Sequence, residues 1–230
     1  PKMQKVLQEL IKSKLTSVQR IAVSSSRISP DNVLKSVLQS DMDKIKSTLE
    51  QIDQEEFNTI VQCILEAKKI YILGVRSSAA LASFLGFYFN LIFDNVRLVH
   101  TTSVSEMFEQ IIRSSKGDVV IGISFPRYSK RTIKAMEFAK NKGCTVIAIT
   151  DSKKSPVALN SHYSLIAKSD MASFVDSLVA PLSVINALIV AIGNKKENEI
   201  YQTFEYLEKI WDEYQVYEKN DNIDVSPKDI

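Results

Sequence analysis

Apolar residues recur along this chain in two registers. Up to about residue 65 they follow helical spacing. Val6, Leu7, Leu10 and Ile11 predict a first helix. After a break at Ser24-Ser25-Ser26 and Ile28-Ser29-Pro30, Leu34, Leu38, Met42, Ile45, Leu49 and Ile52 recur at intervals of 4, 4, 3, 4 and 3. That is an amphipathic stripe of coiled-coil type. Asp53-Gln54-Glu55-Glu56 places a side-chain acceptor three residues before a glutamate, the pattern of a capping box. It predicts a third helix through Phe57, Ile60, Val61, Ile64 and Leu65.

From Lys69 the pattern changes. Short apolar runs, most of them rich in valine and isoleucine, alternate with helical stretches: Ile70 to Leu73, Val96 to Val99, Val119 to Ile123, Thr145 to Ile149 and Tyr163 to Ala167. Near-continuous apolar strands separated by helices imply a parallel sheet covered on both faces. The predicted fold class is therefore α/β, a three-layer αβα sandwich with a five-stranded parallel sheet and extra helices at both ends. The apolar stretch Phe174 to Ile192 contains Asp176, Pro181, Ser183 and Asn186, which suits a buried helix better than a lipid-facing span. A last helix is predicted from about Glu199 to Tyr217, with Ile200, Phe204, Leu207, Trp211 and Tyr214 on one stripe. The tail from Asn220 to Ile230 is polar and acidic, and is expected to be loose.

Composition narrows the function classes. With 45% hydrophobic and 24% charged residues the chain is globular, not disordered. A net charge of +2 gives no chain-wide footprint for nucleic acid. The charge is uneven, +4 over residues 1–50 and −5 over residues 195–230, which marks both ends as appendages to the core. Cys63 and Cys144 lie far apart in apolar runs, and His100 and His162 have no partner at metal-ligand spacing. Neither a disulfide scaffold nor a dedicated metal site is expected, nor any cofactor. The N-terminus lacks the pattern of a signal peptide, so a reduced, cytoplasmic protein without membrane contact is expected.

In an open parallel sheet, ligands bind beyond the carboxyl ends of the strands. Three loops occupy that place: Gly74-Val75-Arg76-Ser77-Ser78, Ser124-Phe125-Pro126-Arg127-Tyr128-Ser129-Lys130-Arg131-Thr132, and Thr150-Asp151-Ser152-Lys153-Lys154-Ser155-Pro156. The first two each combine hydroxyls, an arginine and a following helix N-terminus. Helix N-termini favour anions, and the arginine fork suits phosphate. Neither loop carries a Walker or dinucleotide glycine pattern, which disfavours nucleotides. Taken singly, Ser77, Ser78 and Ser129 read as helix caps; two such loops, each with an arginine, point to a phosphomonoester site. His100 reads as a strand-end residue, Glu106 as a helix-start charge, and Lys130-Arg131-Lys134 as a solvated face.

These loops resemble those of the sugar isomerase (SIS) domain. In that family a serine closes a G-x-G-x-S loop after the first strand, and a second loop reads roughly I-S-x-S-G-x-T. Ser78 matches the first serine, Ser124 the opening serine of the second loop, and Ser129 the threonine that ends it; Thr132 lies a turn further on. Two departures stand out. Arg76 replaces the second glycine of the first loop, and Pro126-Arg127 replaces Ser-Gly in the second. The site thereby gains cations for a more anionic ligand, or is closed by arginine packing.

The wider chain, with Leu15-Thr16-Ser17-Val18-Gln19-Arg20 leading into Asn32-Val33-Leu34, is similar to the MurR/RpiR family of bacterial transcriptional regulators. That resemblance implies an N-terminal helix-turn-helix domain, a helical linker and a C-terminal SIS domain. The chain is expected to be a fragment that begins where the helix-turn-helix ends. Residues 1–52 would then be linker, 53–194 the sugar-phosphate-binding SIS domain, and 195–230 a C-terminal helix and tail. The implied function is ligand sensing, controlling carbohydrate-metabolism genes. The expected ligand-binding residues are Ser78, Ser124, Ser129, Arg76, Arg127, Ser77 and Thr132, with no catalytic residue. The expected partners are a phosphorylated sugar or similar small anion and a second copy of the chain, as a homodimer or higher homo-oligomer. DNA would be reached only through the missing domain. The alternative is a sugar-phosphate isomerase with Glu106 or His162 as base; a third is a degenerate SIS module used only to dimerise.

Overall fold

A computed structural model describes residues 16, 18–19, 32–101, 103–170 and 175–218. The predicted helix at Val6–Ile11 and the tail from Asn220 lie outside the described residues. The chain runs α1 (Val33–Leu49), α2 (Gln54–Leu65), β1 (Ile70–Gly74), α3 (Ser78–Ile92), β2 (Val96–Val99), α4 (Val104–Ile111), β3 (Val119–Ile123), α5 (Lys130–Asn141), β4 (Thr145–Thr150), α6 (Pro156–Leu159), β5 (Tyr163–Ile166), α7 (Val179–Lys195) and α8 (Glu197–Glu213).

All five strands are parallel, in the order β2-β1-β3-β4-β5. β1 and β3 are buried along their whole length, which is why their sequences are unbroken apolar runs. Successive strand residues alternate between two cores. Ile70, Ile72, Ile121, Ile123, Ile147 and Ile149 face Ile60, Ile64, Leu85, Phe89, Ile185 and Leu188 of α2, α3 and α7. Tyr71, Leu73, Val120, Val146 and Ala148 face Met107, Ile111, Ala135, Met136 and Val157 of α4, α5 and α6. The predicted three-layer architecture is the observed one.

Several expectations are refined. Asp53 does cap α2, accepting from the Glu56 N–H at 3.0 Å. The reciprocal half of the capping box is not made. Glu56 instead accepts from the Ser164 N–H at 2.7 Å and pairs with Lys153 at 2.9 Å, tying α2 to β5 and to the β4–α6 loop. The α7 helix begins at Val179, later than the apolar run suggested, and α8 ends at Glu213 rather than Tyr217.

The orientation of α1 is the larger surprise. Its apolar stripe is turned outward: Leu34, Leu38, Met42 and Leu49 are each more than half exposed. The face turned to the domain is polar, with Lys44 and Thr48 buried.

Candidate anion-binding site

The strand order reverses between β1 and β3: the chain adds β2 on one side of β1 and β3, β4, β5 on the other. Gly74 pairs with Ile123, so the loops after these strands leave the sheet side by side and frame a crevice at the switch point.

In the first loop, α3 begins close against the strand end. A Cβ on Gly74 would lie 2.5 Å from the Ser78 carbonyl oxygen, so only glycine permits this approach. Arg76 has φ +57°, the left-handed conformation that glycine adopts freely and other residues rarely do. The arginine that replaces the family's glycine therefore keeps the glycine's backbone. Ser77 occupies the N-cap position but makes no side-chain cap bond, and it is exposed. Ser78 is the buried one of the pair, 5% exposed, at the first turn of α3.

In the second loop, Ser124 follows β3 directly and is buried. Its N–H donates to the Ile149 carbonyl at 3.2 Å. Its hydroxyl oxygen accepts from the Ser129 N–H at 3.0 Å. Ser129 caps α5, its hydroxyl oxygen accepting from the Thr132 N–H at 3.3 Å. The loop thus folds both serines together over the α5 N-terminus, where unpaired N–H groups and the helix dipole favour negative charge. Thr132 is fully buried within that first turn, and its hydroxyl oxygen has no partner among the described residues. Arg76 and Arg127 are both exposed, not packed into the crevice, so neither fills it. Ser78 stands on the β1 side of the crevice and the Ser124–Ser129 pair on the β3 side.

Two residues that the sequence did not single out complete the second loop. The Tyr128 hydroxyl donates to Asp151 Oδ1 at 2.9 Å, across to the end of β4. The Thr150 hydroxyl donates to the same oxygen at 3.2 Å. Burial pushes the Asp151 carboxyl above its ordinary value, and the two hydroxyl donors offset only part of that. Burial, then the Asp151 charge, pushes the Tyr128 phenol up. A sequence signal existed in the tyrosine of one strand-end loop and the aspartate opening the next, but nothing in spacing alone joins them.

The isomerase candidates fare differently. His162 precedes β5, at the amino ends of the strands, where its Nδ1 accepts from the Val146 N–H at 2.9 Å. It is at the wrong end of the sheet to act as a base in the crevice. Glu106 lies in the first turn of α4, on the carboxyl side, and its carboxylate accepts from the Thr101 hydroxyl. Among the described residues no group of three or more His, Cys, Asp or Glu side chains forms a metal cluster, and no helix is long and apolar enough to cross a membrane.

Comparison with known proteins agrees with the fold. An uncharacterized HTH-type transcriptional regulator of Caldanaerobacter subterraneus subsp. tengcongensis is 27% identical over 177 residues, 75% of this chain and 62% of the relative. The chain spans between 55% and 62% of the length of the curated relatives it matches. The sugar isomerase domain of an RpiR transcription factor from Sphaerobacter thermophilus superposes with a TM-score of 0.73 at 24% identity, covering 77% of this chain and 99% of that one. The Vibrio vulnificus NanR protein, complexed with ManNAc-6P, gives 0.70 at 20% identity, covering 84% and 74%. Phosphoheptose isomerase GmhA from Neisseria gonorrhoeae gives 0.60 at 16%, covering 72% and 100%, so the fold alone spans regulators and enzymes. The SIS domain model matches residues 63–191, and on that match the chain belongs to the SIS domain family.

Proposed function

We propose that this chain is the ligand-sensing part of a bacterial transcriptional regulator, and that it binds a phosphorylated sugar or a related phosphomonoester in the β1/β3 crevice. The observation that carries this reading is the Ser124–Ser129 pair over the α5 N-terminus, beside Ser78 at the α3 N-terminus. Neutral hydroxyls and helix N–H groups suit the phosphate oxygens, while the exposed Arg76 and Arg127 supply charge at the rim. The relationship to HTH-type regulators and the ManNAc-6P carried by NanR support the same class of ligand. The amphipathic α1 would serve as linker within residues 1–52, with residues 53–194 as the sensing domain. DNA would be met only by a helix-turn-helix outside this chain, in the cytoplasm, on genes of carbohydrate metabolism.

Binding without turnover is the expected behaviour. Isomerisation by an enediol route needs a base at the sugar, and His162 sits at the opposite end of the sheet. Glu106 keeps the isomerase as the alternative, since it lies on the carboxyl side. The chain is further proposed to act as a homodimer or larger homo-oligomer. Its outward α1 stripe and the exposed aromatic residues of α8 and its C-cap, Tyr201, Tyr206 and Tyr214, are surfaces a second copy would cover.

A thermal-shift screen of phosphorylated sugars against their unphosphorylated forms tests the reading. A ligand that binds only the folded state raises the melting temperature by mass action. A shift with phosphorylated sugars, no shift with the free sugars, and no product formed is the expected result. No shift with any phosphomonoester would overturn it, and turnover abolished by Glu106→Gln would promote the isomerase.

A further inference from the structure

The β3–α5 loop does not end at the crevice. The Tyr128 hydroxyl donates to Asp151 Oδ1 at 2.9 Å, and the Thr150 hydroxyl donates to the same oxygen. The Thr150 carbonyl accepts from the Ala167 N–H at 2.8 Å, immediately after β5. The next residue, Lys168, donates its N–H to Thr48 Oγ1 of α1 at 2.9 Å. Loop, strand ends and helix α1 are therefore joined by an unbroken series of short polar contacts.

The way α1 is held makes this connection consequential. Apart from the half-buried Val37, its apolar residues face away from the domain, so hydrophobic burial contributes little to its docking. The docked face is held by hydroxyls and charges. Thr48 accepts from Lys168, and Asp41 accepts from the Ser177 hydroxyl at 2.6 Å and from Lys44 at 3.2 Å. Ser177 in turn accepts, at its carbonyl, from the Ser169 hydroxyl at 2.9 Å. Net contributions of such bonds are small, because each replaces a bond to water. An element held mainly by them opens and closes at low free-energy cost.

We propose that Tyr128 and Asp151 are positioning residues that link occupancy of the β1/β3 crevice to the docking of α1. The proposal rests on the anion-binding reading of that crevice. A ligand that settles the 124–129 loop fixes Tyr128; Tyr128 fixes Asp151 and the end of β4; the Ala167–Lys168 backbone then presents its N–H to Thr48. The crevice thereby acts on the helix that follows residues 1–31, through bonds that a shift of a few tenths of an ångström makes or breaks. Spatial connection alone is not coupling, so the test must interrupt the route at each end.

Amide hydrogen exchange of the chain, with and without saturating inorganic phosphate and in parallel N-acetylmannosamine 6-phosphate, provides it. In the unsubstituted chain, ligand should slow exchange in the 124–129 loop and in α1, the latter by about two- to tenfold, the size expected for one net hydrogen bond. Thr48→Val should leave the loop response intact and abolish the α1 response, and Thr48→Ser, which keeps the hydroxyl, should restore it. Tyr128→Phe should abolish the α1 response from the other end, and combining it with Thr48→Val should add nothing further. An α1 response of undiminished size in both Thr48→Val and Tyr128→Phe overturns the link while leaving the crevice intact. So does a loop response in the unsubstituted chain with no change in α1. If neither region responds to either ligand, the crevice reading fails and the link falls with it.

Discussion

Ser129 donates its N–H to the Ser124 hydroxyl oxygen at 3.0 Å, closing the loop between β3 and α5 over the helix N-terminus. One serine ends the strand and the other starts the helix, so the bond fixes the loop at both of its anchors. Its consequences for stability and for ligand affinity are separable.

Ser129→Ala removes the α5 cap and should lower stability by about 1 kcal/mol. Ser124→Ala removes a buried hydroxyl that accepts one backbone N–H. Each should also weaken sugar-phosphate binding by about tenfold or more, the range for a hydrogen bond to a charged group. Chemical denaturation and isothermal titration measure the two effects independently. Unchanged affinity in both variants would remove these serines from the site.

Arg76 sits at φ +57°, so Arg76→Gly relieves backbone strain while giving back conformational entropy to the unfolded chain. The two effects are of similar size, about 1 kcal/mol each, and stability should be nearly unchanged. Affinity for a phosphorylated sugar should fall, and its salt dependence should weaken, because a cation has gone from the rim. Titration at two ionic strengths checks this. An unaltered salt dependence would mean that Arg76 only shapes the loop.

Asp151 is held above its ordinary pKa by burial. A carboxyl whose folded pKa is raised binds protons more readily in the native state, so its contribution to stability is fully present below the ordinary aspartate value. That contribution is lost as pH rises through the raised value. Asp151→Asn removes this dependence and keeps an acceptor for Tyr128. The variant should be more stable than the parent at pH 7, with the difference shrinking towards pH 4. Thermal melts across that range report it, and a destabilised variant at neutral pH would show that the Asp151 charge is itself required.

His162 is displaced the other way. Partial desolvation, then the Lys140 charge, lowers its pKa, and its neutral Nδ1 accepts from the Val146 N–H. A histidine with a depressed folded pKa binds fewer protons in the native state, so it stabilises above its ordinary value near 6.5 and loses that contribution as pH falls through the folded value. Between pH 7 and 5 the melting temperature of the parent should fall relative to that of His162→Asn, which keeps an acceptor but does not titrate. Ligand binding at pH 7 should be untouched, because the residue lies at the far end of the sheet.

The α1 stripe offers a test of assembly. Leu38 and Met42 are 56% and 63% exposed in the single chain, so Leu38→Glu with Met42→Glu should leave the fold intact. If a second copy covers the stripe, sedimentation equilibrium at micromolar concentration should show the parent as at least a dimer and the variant as a lighter species. A monomeric parent would remove the assembly.

The sheet was legible from composition and spacing because its cause is local. β1 and β3 are buried on both faces, and a strand with no wet side must be apolar at every position. The crevice was legible for a related reason: parallel strands place their following loops at one end, and those loops announce themselves by serine and arginine in an otherwise apolar stretch. The family resemblance added which serines belong together.

Other features depend on which residues the fold brings together. The stripe Leu34–Leu38–Met42–Ile45–Leu49 declared an amphipathic helix, yet periodicity carries no information about which face meets the domain. Here the polar face docks, because Asp41 and Thr48 find Ser177 and Lys168 more than a hundred residues away. Glu56 had the spacing of a capping-box partner, but the Ser164 N–H and Lys153 lie within its reach and take the carboxylate instead. The Tyr128–Asp151 bond spans 23 residues and exists only because β3 and β4 are neighbours in the sheet. Local periodicity therefore determined the strands, most of the helices and the loops that frame the crevice. The direction α1 faces, the place of His162 at the amino ends of the strands and the polar contacts that join the strand ends to α1 were decided by contacts distant in sequence, which only the packed chain supplies.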